Sequence, residues 1–132
     1  MAHSITVTKI IPGTYRTVFL VSLVSDGASG ELADEVIVSP SDLGLPSSAR
    51  LAIETIEYNF SGFDCWIEFD SGVVDDNLMW VLSRNNSIHD FNPYGGIKDP
   101  SGVDGTGKIQ LSTTGFGSAG SIGSILIKVR NA

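Results

Sequence analysis

The segment that decides the fold runs from Arg50 to Phe69 and reads Arg-Leu-Ala-Ile-Glu-Thr-Ile-Glu-Tyr-Asn-Phe-Ser-Gly-Phe-Asp-Cys-Trp-Ile-Glu-Phe. Its second half has the period of two that is typical of a half-buried strand, with Cys65, Ile67 and Phe69 on one face. Ser61 and Gly62 form a turn sequence between the two halves. The whole segment therefore predicts a β-hairpin.

The first half of this segment allows two interpretations. A helical spacing fits Ala49, Ala52, Ile53, Ile56 and Phe60. Two strand phases also fit, with Leu51 and Ile53 in the first and Ile56, Tyr58 and Phe60 in the second. The slip of one residue between the two phases is what a β-bulge produces. We favour the bulged strand, because the neighbouring segments all alternate.

The rest of the chain shows the same kind of short, alternating or β-branched runs. They cover residues 4–10, 15–24, 35–38, 78–82, 108–114 and 124–130, and glycine-rich turns separate them. The middle of residues 15–24 is apolar on both faces, which predicts a central strand. Residues 83–107 form a long polar loop, and loops of more than about 15 residues usually serve a function or are held by a partner.

These patterns predict an all-β fold, a single antiparallel β-sandwich that is jelly-roll-like. A length of 132 residues fits one domain covering 1–132. Within it, two interpretations of residues 1–14 remain open, an ordinary edge strand and an extended arm.

Composition narrows the class of function. The chain has 8 Lys and Arg against 15 Asp and Glu, a net charge of −7. This balance argues against nucleic acid and against an anionic membrane surface as partners, because both need clustered cations. The N-terminus lacks the pattern of a secretory signal, so we expect the protein to be made and assembled in a cytoplasm.

No set of residues in the sequence predicts catalysis or a cofactor. Cys65 lies on the apolar face of its strand, and the two histidines, His3 and His89, offer it no evident base. The acidic residues between Glu54 and Asp76 alternate with core positions, so we expect them to face solvent. The segment 99–107 lacks the ligand spacing of a calcium loop. We therefore expect a non-enzymatic protein without metal or cofactor.

The two tryptophans, Trp66 and Trp80, are candidates for contacts with a partner. Trp66 lies on the less apolar face of its strand, so it is exposed or covered by a partner. Packing in the core or at an interface is the favoured interpretation for both, and stacking against a sugar is the alternative.

Several stretches resemble the small virion structural proteins of tailed bacteriophages that decorate or cement the capsid. The resemblance covers roughly residues 50–130 and rests on the pattern of 50–70, on Asp76 with Leu78–Leu82, on Pro93-Tyr-Gly-Gly-Ile97, on Gly105–Gly115 and on the C-terminal Gly123-Ser-Ile-Leu-Ile-Lys-Val-Arg.

The resemblance implies a non-enzymatic protein on the outer capsid surface, assembled in the host cytoplasm. Its partners would be the major capsid protein and further copies of itself, as a dimer or trimer. The residues that this reading assigns to partner binding are Ile5, Val7, Trp66, Phe91, Pro93 and Tyr94. Two other functions remain open: a tail or head–tail joining protein, and a carbohydrate-binding module on the virion surface.

Overall fold

The computed structural model of the chain describes residues 4–11, 16–27, 31–32, 35–46, 48–70, 77–82, 86–91, 93, 95–99, 106–116 and 121–131, with the side chains of 11, 77–79 and 86 left out. Within these ranges lie ten strands: β1 (Ser4–Ile11), β2 (Arg16–Val24), β3 (Glu35–Val38), β4 (Leu51–Ser61), β5 (Asp64–Phe69), β6 (Asn77–Leu82), β7 (Asn86–Asp90), β8 (Ile97–Lys98), β9 (Ile109–Thr114) and β10 (Ile122–Asn131). A 3₁₀ helix spans Pro40–Leu43, and the described residues include no helix that could cross a bilayer.

The strands form two antiparallel sheets. Sheet A has the order β1-β2-β10-β4-β7. The short strand β8 pairs with the start of β4, at Ala52 and Ile53, on the same edge as β7. Sheet B has the order β3-β9-β5-β6. The all-β antiparallel sandwich predicted from the sequence is confirmed. The strand orders are consistent with a jelly-roll-like topology, since the chain passes between the sheets after β2, β3, β4, β6, β8 and β9.

The core lies between the two sheets and follows from alternation along each strand. In β2 every second residue is buried, including Phe19, Val21 and Leu23. In β5 the buried residues are those predicted, Cys65, Ile67 and Phe69. All of these side chains belong to one continuous hydrophobic cluster, so the inward faces of both sheets share a single core. The central position predicted for 15–24 is confirmed for β2, which pairs with β1 and β10.

The bulged strand predicted for residues 50–60 is confirmed. Along β4, Lys128 of β10 pairs with Thr55, and Val129 pairs with Ile53, so the register skips Glu54. The skipped residue lets Ile53 and Ile56 both face the core although they are three positions apart.

The predicted hairpin between β4 and β5 is wrong. Strand β4 pairs with β10, β7 and β8 in sheet A, whereas β5 pairs with β6 and β9 in sheet B. Gly62, with φ +90°, and the fully buried Phe63 carry the chain across the core. Alternation identifies the buried face of each strand but not its neighbour, and so a crossover and a hairpin have the same pattern.

The long loop predicted for 83–107 is also wrong in part, because it contains β7 and β8. Strand β7 reads Asn-Ser-Ile-His-Asp and has little strand propensity of its own. It is held by backbone pairing with β4 from Asn59 to Thr55, which requires no apolar side chains. At the N-terminus, Ser4–Ile11 forms the edge strand that was the alternative to an arm.

Candidate functional site: the open side of the sandwich

The sandwich has two lateral sides, and the side chains along them differ. On one side the edge strand β7 of sheet A lies beside the edge strand β6 of sheet B, as a ring contact between Trp80 and His89 shows. On the other side β1 of sheet A lies beside β3 of sheet B, since residues of both strands line one groove. We call these the closed side and the open side.

Aromatic rings fill the closed side. The ring centroid of Trp80 lies 5.3 Å from that of His89 and 5.0 Å from that of Phe91, both in edge-to-face geometry. The ring of His89 also stacks on Tyr58 at 5.8 Å. Such pairs stabilise beyond their buried area by roughly 0.5–1.5 kcal/mol each. The rings therefore cover the space between the two edge strands.

The open side has a groove of about 340 Å³ in place of such rings. Its lining combines apolar and polar side chains: Val7, Lys9, Phe19, Val36, Ile37, Ser39 and Asp42. Val7 is 39% exposed and Val36 is 42% exposed, so each borders the groove with an accessible methyl surface. Lys9 and Asp42 place one charge of each sign in the same groove.

Strand β1 forms the free edge of sheet A on this side. Among the described strands it pairs only with β2, from Ser4↔Val24 to Ile11↔Val18, with a bulge at Ile10. A strand paired along one edge presents unpaired N–H and C=O groups along the other. From Ser4 to Ile10 every side chain is exposed except that of Ile5, which is half-buried. The strand contains no proline. These features allow an extended segment of another chain to pair with β1.

The 3₁₀ helix after β3 fixes the far wall of the groove. The N–H of Ser39 donates to Oδ2 of Asp42 at 2.8 Å, and the N–H of Asp42 donates to the carbonyl of Ser39 at 2.9 Å. Gly44 ends the turn in the left-handed region at φ +74°. Because Asp42 is held by the backbone, its carboxylate is a fixed feature of the groove.

The structure does not bring the predicted partner-binding residues together. Ile5 and Val7 both lie on the core-facing side of β1, at the open side. Trp66 is half-buried on the outer face of sheet B. Phe91 is only 6% exposed and belongs to the core, where Trp80 covers it, and so its ring is not presented to a partner here. Pro93 is exposed between β7 and β8, and Tyr94 lies outside the described residues.

Sequence reasoning missed the other half of the groove. Val36, Ile37 and Asp42 come from β3 and the turn after it, a short run that ends at Pro40. A short strand before a proline is typical of an edge. That signal marks an edge strand, but it does not show that the edge lies beside β1.

The lone cysteine lies in the core. Cys65 is fully buried, and burial together with the negative charge of Glu68 raises the pKa of its thiol far above the ordinary value. A buried thiol that stays protonated is a poor nucleophile.

The carboxylates have structural partners, and one of them is buried. Oε1 of Glu68 accepts from the hydroxyl of Ser112 at 3.0 Å, and Oδ2 of Asp70 accepts from the hydroxyl of Thr106 at 2.7 Å. The expectation that these acids face solvent is wrong for Glu54, which is 4% exposed. In the described part of the chain, no three His, Cys, Asp or Glu side chains are grouped as metal ligands would be.

Glu54 is the centre of an ion cluster on the outer face of sheet A. Its Oε1 accepts from Nε of Arg16 at 2.8 Å and lies 3.9 Å from Nζ of Lys128, and its Oε2 lies 3.9 Å from Nε of Arg130. The bulge turns Glu54 outward, and strands β2 and β10 supply the cations. Arg130 also donates through Nη2 to the carbonyl of Gly95, which fixes the turn between β7 and β8 to the sheet.

Comparison with protein-family models, with curated proteins and with solved structures gave no match.

Proposed function

We propose that this protein is a non-enzymatic structural protein of a tailed-phage virion, which binds the outside of the capsid and stabilises it. We place the contact with the major capsid protein on the free edge of β1, at the open side of the sandwich. The virion role rests on the resemblance of residues 50–130 to phage decoration proteins, and the placement of the contact rests on the difference between the two sides. Rings close the β6/β7 side, whereas on the β1/β3 side the edge of β1 has no pairing partner among the described strands and lies beside a groove.

Strand addition to β1 would supply both affinity and selectivity. Backbone groups of a capsid segment would pair with the free N–H and C=O groups of β1. Every second side chain of that segment would then enter the groove between Val7 and Val36, where Lys9 and Asp42 set the polarity. Because both walls of the groove belong to a packed sandwich, little ordering entropy is lost on binding.

A protein that binds only assembled capsid stabilises it by mass action. At a free concentration of 100 times Kd, one occupied site contributes about 2.7 kcal/mol. Many copies on one shell add such contributions, and a partner that spans two capsid subunits opposes their separation. The chain needs no chemical reaction to act in this way, which agrees with a cysteine held in the core.

The test uses phage particles that lack this protein and the purified chain added back. Mass spectrometry of purified wild-type virions should find the chain in hundreds of copies, and adding it back should raise the temperature at which the particles release DNA. Val7→Asp should lower binding at least tenfold, because a charge would stand at the pairing edge. Val24→Asp is the matched control, since Val24 is 46% exposed at the opposite end of β2 from the groove and should keep binding.

The result also separates the rival functions. A copy number of a few to a few dozen per virion would favour a tail or head–tail joining protein. Absence of the chain from purified virions would refute the proposal. Equal binding by Val7→Asp and wild type would keep the capsid role but move the contact away from β1.

A further inference from the structure

A row of short polar side chains crosses the outer face of sheet A. It consists of Thr6, Ser22, Ser124 and Asn59, which are paired in that order across β1, β2, β10 and β4. Because neighbouring strands are about 4.8 Å apart, the row is about 14 Å long. Among the described residues, none of these four side chains has a hydrogen-bond partner. Their hydroxyl and amide groups are therefore available to a ligand, and we call them the polar row.

Apolar side chains lie on both sides of the polar row. Two positions along the strands in one direction are Val24 and Ile122, which are paired with each other and are 46% and 51% exposed. Two positions in the other direction are Leu20 and Leu126, which are also paired and are half-buried. Because the serine side chains between them are smaller, the polar row forms the floor of a trough with an apolar wall on each side.

Two open grooves make up this trough. One of about 410 Å³ lies on one side of the polar row, and one of about 530 Å³ lies on the other. Asn59 and Ser124 line both grooves, so the grooves meet at the polar row. The larger groove continues to Ile88 of β7, which is 62% exposed, and Glu57 of β4 lies between Leu126 and Ile88.

The described lining of the trough contains one charged side chain, the exposed carboxylate of Glu57. The next outward residues along β10, Lys128 and Arg130, lie beyond Leu126, and each has its cationic nitrogen 3.9 Å from the carboxylate of Glu54. The trough therefore presents no cation to an anionic ligand among the described residues. A net charge of −7 on the chain opposes such a ligand as well.

A neutral sugar chain matches this combination of groups. Serine and threonine hydroxyls and the asparagine amide both donate and accept hydrogen bonds, as sugar hydroxyls do. A carboxylate accepts two hydrogen bonds side by side, which suits adjacent hydroxyls on one sugar ring. The C–H faces of the rings can pack on the apolar walls. An extended peptide matches less well, because the face of a sheet has no free N–H and C=O groups to pair with its backbone.

We infer that the trough binds a neutral oligosaccharide. The sugar chain lies along the polar row, with its hydroxyls on Ser22, Ser124 and Asn59 and its ring faces against the walls. Glu57 accepts hydrogen bonds from two hydroxyls of one sugar. Because the row lies on paired strands of a packed sandwich, its side chains are in position before binding. Trp66, the candidate for sugar stacking in the sequence, lies on the outer face of sheet B and takes no part.

The strength of binding follows from the shape of the trough. It is open to solvent, and each hydrogen bond to a sugar replaces one to water, so a single sugar should bind weakly. Each further sugar along the row adds hydrogen bonds and apolar contact. We therefore expect affinity to rise with the number of linked sugars until the trough is filled. The inference does not rest on the capsid role, because it concerns the purified chain alone.

An array of neutral, sialylated and sulfated glycans tests the inference with the purified chain. Neutral glycans should bind, more tightly as their chains lengthen, and acidic glycans should not. The ¹⁵N-labelled chain is then titrated with the neutral hexasaccharide that binds best on the array, and NMR spectra are recorded. The amide signals of Ser22, Asn59 and Ser124 should shift, whereas those of Trp66 and its neighbours in β5 should stay unchanged.

Two variants and one control locate the site. Ser124→Leu fills the floor where the two grooves meet and should lower binding of the hexasaccharide at least tenfold. Glu57→Gln keeps the shape of an exposed side chain but removes its charge, and it should lower binding about threefold or more. Thr114→Leu is the matched control, since Thr114 is exposed at the end of β9 in sheet B and should bind as the wild type does. Thermal denaturation shows whether each variant keeps its fold.

Three results would overturn the inference. They are absence of binding to every neutral glycan, equal binding of neutral and acidic glycans, and NMR shifts centred on Trp66 in place of the polar row. Wild-type binding by folded Ser124→Leu and Glu57→Gln would likewise exclude the trough as the site. None of these outcomes decides whether the chain binds capsids, which the particle experiment measures separately.

Discussion

Replacing Gly123 by alanine should destabilise the fold by about 1–2 kcal/mol. Gly123 lies in β10 between Leu23 of β2 and Phe60 of β4, on the core-facing side. A Cβ atom there would lie 2.6 Å from Cδ1 of Phe60 and 2.8 Å from Cζ of Phe63. Contacts that short require the rings to move.

The rings have little space to move into. Phe60 and Phe63 lie 4.7 Å apart, and Phe63 contacts Phe116 edge to face at 4.7 Å. Phe63 and Phe116 are both fully buried. Overpacking of this kind costs roughly 1–3 kcal/mol. The smaller entropy of an unfolded chain with alanine offsets only about 0.4–1 kcal/mol of that cost.

Urea denaturation followed by tryptophan fluorescence measures the change. Gly123→Ala should lower the midpoint without changing the slope, and the melting temperature should fall by roughly 3–10 °C. Ser124→Ala, one residue along and facing outward, should stay within about 0.5 kcal/mol of wild type. Adding Phe60→Leu to Gly123→Ala should recover at least about 1 kcal/mol relative to additivity, because the smaller side chain makes room. A Gly123→Ala variant as stable as wild type would refute the close packing described.

Two further substitutions and one labelling experiment test other parts of the fold. Glu54→Gln should lower the free energy of unfolding by about 1–2 kcal/mol, which urea denaturation measures. This is less than the roughly 3–5 kcal/mol typical of a broken buried ion pair, because the side chain of Arg16 is 54% exposed. Cys65 should react with a thiol reagent at pH 8 only at the rate of chain opening, because burial raises the pKa of its thiol; fast labelling of the native protein would contradict its position in the core. Trp80→Ala should expose Phe91 and lower stability by about 1–3 kcal/mol, seen as an earlier thermal transition, whereas a neutral result would show that the closed side needs no ring contacts.

The sequence was sufficient to predict which side chains of β4 and β5 face the core, apart from the burial of Glu54. The alternation of β5 and the slip in β4 translate directly into structure, because a period of two depends only on neighbours along the chain. The slip placed the bulge between Ile53 and Ile56, since no regular strand buries both on one face, and the structure puts it at Glu54.

The neighbours of the strands could not be predicted in the same way. Whether Gly62 begins a hairpin or a crossover depends on β9 and β10, which compete for the edges of β5 and β4 and lie at the end of the chain. Strand β7 was missed because backbone pairing with β4 holds it, and its polar side chains give no periodic signal. The groove on the open side could not be predicted for the same reason. Alternation in β1 gives the direction of Val7, whereas Val36 and Asp42 reach the groove through the folding of sheet B.

The two edge strands of sheet A, β7 and β1, differ in how far side chains cover their exposed backbone. An edge strand invites pairing with other chains, and proteins usually cover such edges or place charges on them. On the closed side, β7 is short and its His89 and the adjacent Phe91 contact a ring of β6. On the open side, β1 is eight residues long and its only charge is Lys9, directed toward the groove. One inward charge discourages indiscriminate stacking of strands, but it leaves most of the edge able to pair. Among the described residues nothing covers this edge, which agrees with the strand addition proposed above. In that arrangement Asp42, on the opposite wall of the groove, would give the added segment a defined position for a cation.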